Sequence, residues 1–126
     1  MDTKLLNPLT LAFMGDAVYE QLVRLAVIEE KGSLSADKLH KYTVERVRAS
    51  AQAEGFRIIE AKLTEEEIAV YKRVRISPSV TVPKSATAAD YRAATGIEAL
   101  FGWLYLNGET DRINHLFKAI SGGKDE

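Results

Sequence analysis

Two acidic residues stand in stretches that otherwise read as helix interiors. Asp16 lies in FMGDAVYE (residues 13–20), with Leu9, Leu11, Ala12, Phe13 and Met14 before it and Leu22, Val23, Leu25, Ala26 and Val27 after it. Glu98 is the single acid of YRAATGIEALFGWLYLN, from Tyr91 to Asn107. A lone carboxylate in apolar surroundings costs on the order of several kcal/mol unless it is paired, hydrogen-bonded or bound to a cation. At about 100° per helical residue, Glu98 shares its face with Tyr91, Ala94, Thr95, Phe101, Gly102 and Tyr105, and Asp16 with Leu9, Ala12, Tyr19, Glu20 and Val23. Each acid has a glycine near it, Gly15 and Gly102, so the two helices can approach closely. Facing carboxylates repel unless a cation lies between them. Hard oxygen ligands without thiols favour Mg²⁺, with Mn²⁺ as a substitute, and such an ion can polarise a phosphodiester and activate water. Glu20, one turn from Asp16 toward solvent, is a candidate further ligand. The alternative is a partly solvated Asp16, at the edge of a polar sector holding Thr10, Gln21 and Arg24, and a Glu98 paired with an internal arginine. The residues alone leave both open.

The elements that must position these acids are helices. Asn7-Pro8 reads as an N-cap followed by proline at the first helical position, opening a helix from Pro8 to about Glu30. Gly15 costs that helix about 1 kcal/mol relative to alanine, which implies close packing against another backbone. Ser35 caps a second helix, Ala36 to Glu54, ended by Gly55, and residues 56–63 form a short helix or turn. Thr64 to Glu67 is a capping box that starts a helix running to about Arg75. Residues 76–87, ISPSVTVPKSAT, hold two of the three prolines and no helical period, and long loops of this kind often carry function. Thr87 and Asp90 open a helix through Leu106, closed by Asn107-Gly108. Thr110 caps a last helix to about Ile120, and residues 121–126 read as a frayed tail. No alternating strand pattern appears, so the fold class is all-α.

The chain of 126 residues is 46% hydrophobic, which suits one domain with one core, spanning residues 1–126. It has no cysteine, which excludes disulfides, thiolate zinc sites and a cysteine nucleophile. No signal peptide or membrane-spanning run is legible, so the expected location is the cytoplasm, without a membrane partner. His40 and His115 are the only histidines, and no nucleophile elbow, phosphate-binding loop or zinc-protease motif is present. A formal charge of −1 gives no global attraction to nucleic acid. Two basic groups are nevertheless concentrated: Lys72, Arg73, Arg75, Lys84 and Arg92, and Lys38, Lys41, Arg46 and Arg48. Each taken alone reads as a solvated face. Flanking a carboxylate site, the first group becomes a candidate basic face for nucleic acid, and the resemblance given next makes its residues the candidate RNA contacts.

FMGDAVYE and TGIEALFGWLYLNG together resemble the two signature helices of the ribonuclease III catalytic domain. The Gly-Asp pair of the first is matched by Gly15-Asp16. The Glu-Ala-Leu-x-Gly-x-x-Tyr-Leu of the second is matched by Glu98-Ala99-Leu100, Gly102 and Tyr105-Leu106. The short length and the stretches LNPLTLAFMGDAVYE, LHKYT, SAQAE, LTEEE and VPKSA resemble the Mini-ribonuclease III branch, which lacks an appended double-stranded-RNA-binding domain. The likeness runs from Leu6 to Ile120.

This resemblance implies a homodimeric, Mg²⁺-dependent endonuclease of double-stranded RNA, acting in maturation of a 23S ribosomal RNA precursor, with a large-subunit ribosomal protein as helper. Asp16 and Glu98 would then be the catalytic metal ligands, with Gly15, Tyr91 and Thr95 supporting them, Tyr91 through its hydroxyl. Two further acids of full-length ribonuclease III are replaced here by Ala12 and Thr95. The family's Arg-Gly-Arg-Asn-Ala stretch reads Arg73-Val74-Arg75-Ile76-Ser77, and its Pro-Lys-Asn reads Pro83-Lys84-Ser85. A non-catalytic RNA-binding homodimer on the same fold is the alternative that this altered stretch favours. A helical nucleotide pyrophosphohydrolase is a third reading, but Glu65 to Glu67 suit a helix N-terminus better than a metal cluster.

Overall fold

The architecture follows from where the helices start and where two of them touch. The computed structural model describes residues 1–77, 81–84 and 86–122, the side chain of Arg75 excepted. The segments joining the fourth and fifth helices therefore lie partly outside the described residues, as do residues 123–126 of the expected tail. After a short 3-10 turn at Thr3–Leu5, six helices follow: α1 (Pro8–Lys31), α2 (Ala36–Val47), α3 (Ala49–Ile59), α4 (Glu65–Arg75), α5 (Ala88–Leu106) and α6 (Thr110–Ile120). A second 3-10 turn, Glu60–Lys62, joins α3 to α4. Among the described residues there is no strand, and no helix is long and apolar enough to cross a membrane.

Most helix ends are written in the sequence as read. The Asn7 side chain accepts a hydrogen bond from the Leu9 N–H at 2.8 Å with Pro8 at the first helical position. Ser35 and Thr87 cap α2 and α5 in the same manner, and Thr64 with Glu67 forms a complete capping box. Gly32 and Gly108 end α1 and α5 at positive φ, 72° and 73°, a backbone region that glycine enters without steric cost.

Three boundaries differ from expectation. The single helix from Ala36 to Glu54 is two helices, broken at Arg48, whose ψ of 156° is extended. Neither proline nor glycine marks that break. Gly55 does not stop a helix but sits inside α3, where a Cβ would come within 3.0 Å of Ile120 Cγ2, so it serves packing against α6. Thr110 is the first residue of α6 rather than its cap, a place taken by Glu109 without a side-chain hydrogen bond.

α5 is the central helix, packed against α1, α3, α4 and α6. Its Ile97, Ala99, Leu100 and Phe101 have no exposed surface. The main core gathers Val18, Tyr19, Val23 and Val27 of α1, Phe56 and Ile59 of α3, Tyr71 of α4, and Ile113 and Leu116 of α6 around α5. Tyr19 meets Phe101 and Phe117 edge-on at 5.3 and 5.6 Å between ring centres. A smaller cluster, Leu11, Ala12, Val70, Val74 and Ala99, lies where α1 and α4 cover another side of α5. The buried Glu67 carboxylate receives a two-pronged bond from Arg112 (both 2.8 Å), tying α4 to α6. Burial pushes the Glu67 carboxyl up, but the Arg112 hydrogen bonds and the Thr64 N–H outweigh it and hold it below the usual carboxylate range.

The closest approach is between α1 and α5. A Cβ on Gly15 would overlap the Glu98 carbonyl, and one on Gly102 would overlap the Leu11 carbonyl and lie 2.8 Å from the Gly15 nitrogen. The expected backbone packing at Gly15 is thus present. Gly15→Ala should cost about 3 kcal/mol, at the upper end of overpacking losses, because rigid backbone cannot yield. Gly55→Ala should be neutral or mildly stabilising, since only the Ile120 side chain must shift and helix propensity improves by about 1 kcal/mol. Urea unfolding of both variants checks the contrast.

Candidate active site

The glycine crossing decides where the acids fall. Because Gly15 lies against the backbone of Glu98, the residue after it, Asp16, comes near enough to Glu98 for its charge to act on the Glu98 carboxyl. Their settings differ. Asp16 is exposed on α1, whereas Glu98 is half-buried on α5 between fully buried neighbours. Burial is the main reason that the Glu98 carboxyl is raised to about 7, followed by the charge of Asp16; a hydrogen bond from Gln52 works the other way. Tyr19 lies beneath the pair, and burial, then the Glu98 charge, pushes its phenol above the usual range.

Gln52 is the site residue that sequence reasoning missed. It is 2% exposed, and its Nε2 donates to the Val47 carbonyl at 2.7 Å and to Glu98 Oε2 at 3.2 Å. A signal was available: Gln52 is the one polar residue on the stripe of α3 that otherwise buries Ala53, Phe56 and Ile59.

The other named residues divide. Glu20 binds Arg24 one turn along α1, the Nε donating at 2.9 Å, and no group of three His, Cys, Asp or Glu residues able to hold a metal occurs among the described residues. Both line a shallow depression of about 490 Å³ with Phe13, Asp16, Ala17 and Gln21. Phe13, read as a core residue, is 79% exposed there, because α1 turns that edge away from α5. Thr95 is buried and donates its hydroxyl to the Tyr91 carbonyl at 2.9 Å. The Tyr91 ring packs against the smaller cluster beside α4. Among the described residues, the side-chain hydrogen bond that steadies Glu98 comes from Gln52, not from the Tyr91 hydroxyl. Ala12, the other position without an acid, is buried as well.

Of the basic residues, Lys72, Arg73 and Lys84 are exposed. Arg73 donates to the Leu6 carbonyl at 3.4 Å. Arg92 is half-buried and donates to the Ser77 carbonyl at 3.0 Å, fastening the start of the loop to α5. The side chain of Arg75 lies outside the described residues.

Chemically, the pair fits a hard divalent cation. The two carboxylates offer oxygen alone to a ligand, and Glu98 is pushed toward protonation first by its burial and then by the charge of Asp16. Gln52 Oε1 is buried without a partner among the described residues.

A family model described as the ribonuclease III domain matches residues 9–109. The chain is 44% identical over 119 residues to Mini-ribonuclease 3 of Clostridium tetani, covering 94% of this chain and 79% of that one. It is 46% identical over 112 residues to Mini-ribonuclease 3 of Brevibacillus brevis, covering 89% and 83%. A crystal structure of a Fusobacterium nucleatum protein superposes with a TM-score of 0.83 at 30% identity, covering 94% of this chain and 93% of that one.

Because Glu98 holds its proton more tightly folded than unfolded, its contribution is most favourable below about pH 4.5 and is lost as pH rises through about 7. In chelator, Glu98→Gln should match wild type near pH 4.5 and exceed it by about 2 kcal/mol at pH 8. Urea unfolding across that range reads the gap, which millimolar Mn²⁺ should close by stabilising wild type.

Proposed function

The chain belongs to the ribonuclease III family, as an endoribonuclease of its Mini-ribonuclease 3 branch, and from that premise we propose that it cleaves double-stranded RNA using Mg²⁺ or Mn²⁺ held by Asp16 and Glu98. The observation that carries the reading is the juxtaposition of an exposed and a half-buried carboxyl across the glycine crossing, with the buried one raised to about 7. A structural acid pair of this kind only costs stability; a cation between them turns the repulsion into binding.

A cation held by Asp16 and Glu98 would supply Lewis-acid polarisation of the phosphodiester and lower the pKa of water so that hydroxide is available as the nucleophile. The chain's own residues do the rest. Asp16, facing solvent, meets the substrate side, and Glu98 is held in place from the core side by Gln52. Lys72, Arg73 and Lys84, exposed and without an ion pair to a described residue, contact phosphates, and Arg92 supports them by anchoring Ser77. Arg75 belongs to this set by sequence. Such contacts read the shape and 2′-hydroxyls of an A-form duplex rather than its sequence.

Phe13 supports a homodimer. A phenyl ring 79% exposed beside the acids gains about 2 kcal/mol on burial, and a two-fold interface through it places two acid pairs on one face. Two such sites cut opposite strands. The substrate we assign is a 23S ribosomal RNA precursor in the cytoplasm, with a large-subunit ribosomal protein presenting it, because one small domain makes few phosphate contacts.

The test is cleavage of long duplex RNA at low salt with Mg²⁺. Wild type should cut and lose activity in EDTA, while Asp16→Asn and Glu98→Gln should bind RNA but cut at least about a hundred-fold more slowly. Binding without cutting by wild type would leave an RNA-binding scaffold instead.

A further inference from the structure

A fully buried glutamine must spend two donors and an acceptor on partners within reach. Gln52 sits on α3, 2% exposed, one turn after the break at Arg48. Two oxygens face its amide nitrogen: the Val47 carbonyl at 2.7 Å, among the last of α2, and Glu98 Oε2 at 3.2 Å on α5. Both are acceptors. Turning the amide over would set its own oxygen against them, so the donors fix its orientation. The side chain therefore bridges the end of one helix and the acid of another, and the α2–α3 break exists at the point where that bridge can form. Its remaining oxygen is buried without a protein partner.

We infer that Gln52 is a positioning residue: by holding Glu98 Oε2 from the core side it keeps the carboxyl directed at Asp16 and so sets the affinity of the pair for a divalent cation. The inference rests on the metal-dependent reading above and extends it to a residue on a third helix. Ligand orientation by an outer hydrogen bond has a recognisable signature, because its loss weakens metal binding only while the ligand itself is present. A merely structural amide lacks that dependence.

The experiment is titration of the full-length protein with Mn²⁺ alone, reading the free ion by electron paramagnetic resonance. Gln52→Met keeps length and removes both donors. Gln52→Asn keeps an amide but is one methylene too short to span both oxygens. Each should weaken Mn²⁺ binding about tenfold and leave it unchanged when introduced into Glu98→Gln. The inference is overturned if either folded variant binds Mn²⁺ as wild type does, or loses the same factor in the Glu98→Gln background. It is overturned equally if neither variant gives a folded protein by circular dichroism, which would make Gln52 a helix cap. Wild type that takes up no Mn²⁺ sinks the metal reading itself, and with it this one.

Discussion

The contact between Gly15 and the backbone of Glu98, mirrored by Gly102 against Leu11, is the constraint on which the molecule turns. Two helices normally stand 8 to 10 Å apart, roughly, with side chains between them. Here the absence of two β-carbons lets backbones touch, and the axial register of α1 on α5 is thereby fixed. Asp16 and Glu98 meet because they are attached to the residues that make this contact. Like charges are brought together by packing that has nothing to do with charge.

The electrostatic consequence is asymmetric. Asp16, at the solvent edge, needs little from the protein, while Glu98 is enclosed by a core that includes Ile97, Leu100 and Phe101. Among the described residues its carboxyl accepts a hydrogen bond from one neutral donor, Gln52, and forms no ion pair. Where a carboxylate is to be kept ionised for structural reasons the fold does otherwise: Glu67 is given Arg112 in two-pronged geometry and a capped helix start. The two glutamates thus stand in opposite settings, one buried against an arginine and the other half-buried beside a second acid.

Much of this was legible in the sequence, for local reasons. Asn7-Pro8, Ser35, Thr64 with Glu67, and Thr87 act on their own neighbours, so the helix starts they specify need no tertiary information. The role of Gly15 followed from the cost of glycine in a long helix. What failed was non-local. The break at Arg48 has no breaker residue and depends on α3 being turned to reach α5. Gly55 looked like a terminator because the Ile120 side chain that occupies its space arrives from the far end of the chain. Phe13 looked like core because hydropathy does not say which edge of a two-sided helix is covered. Gln52 carries no role legible from its neighbours in sequence, since only the folded α3–α5 contact shows what its amide touches.

The Gly15 crossing also bears on how the molecule breathes. Many enzymes carry their reactive groups on loops that open without disturbing the rest. Here the backbone that presents Glu98 is the same backbone that closes the deepest helix contact, flanked by residues with no exposed surface. Separating the two acids by local fluctuation requires parting α1 from α5, which is most of the way to unfolding the domain. The amide protons of Gly15 and its neighbours on α5 therefore belong with the slowest-exchanging in the protein.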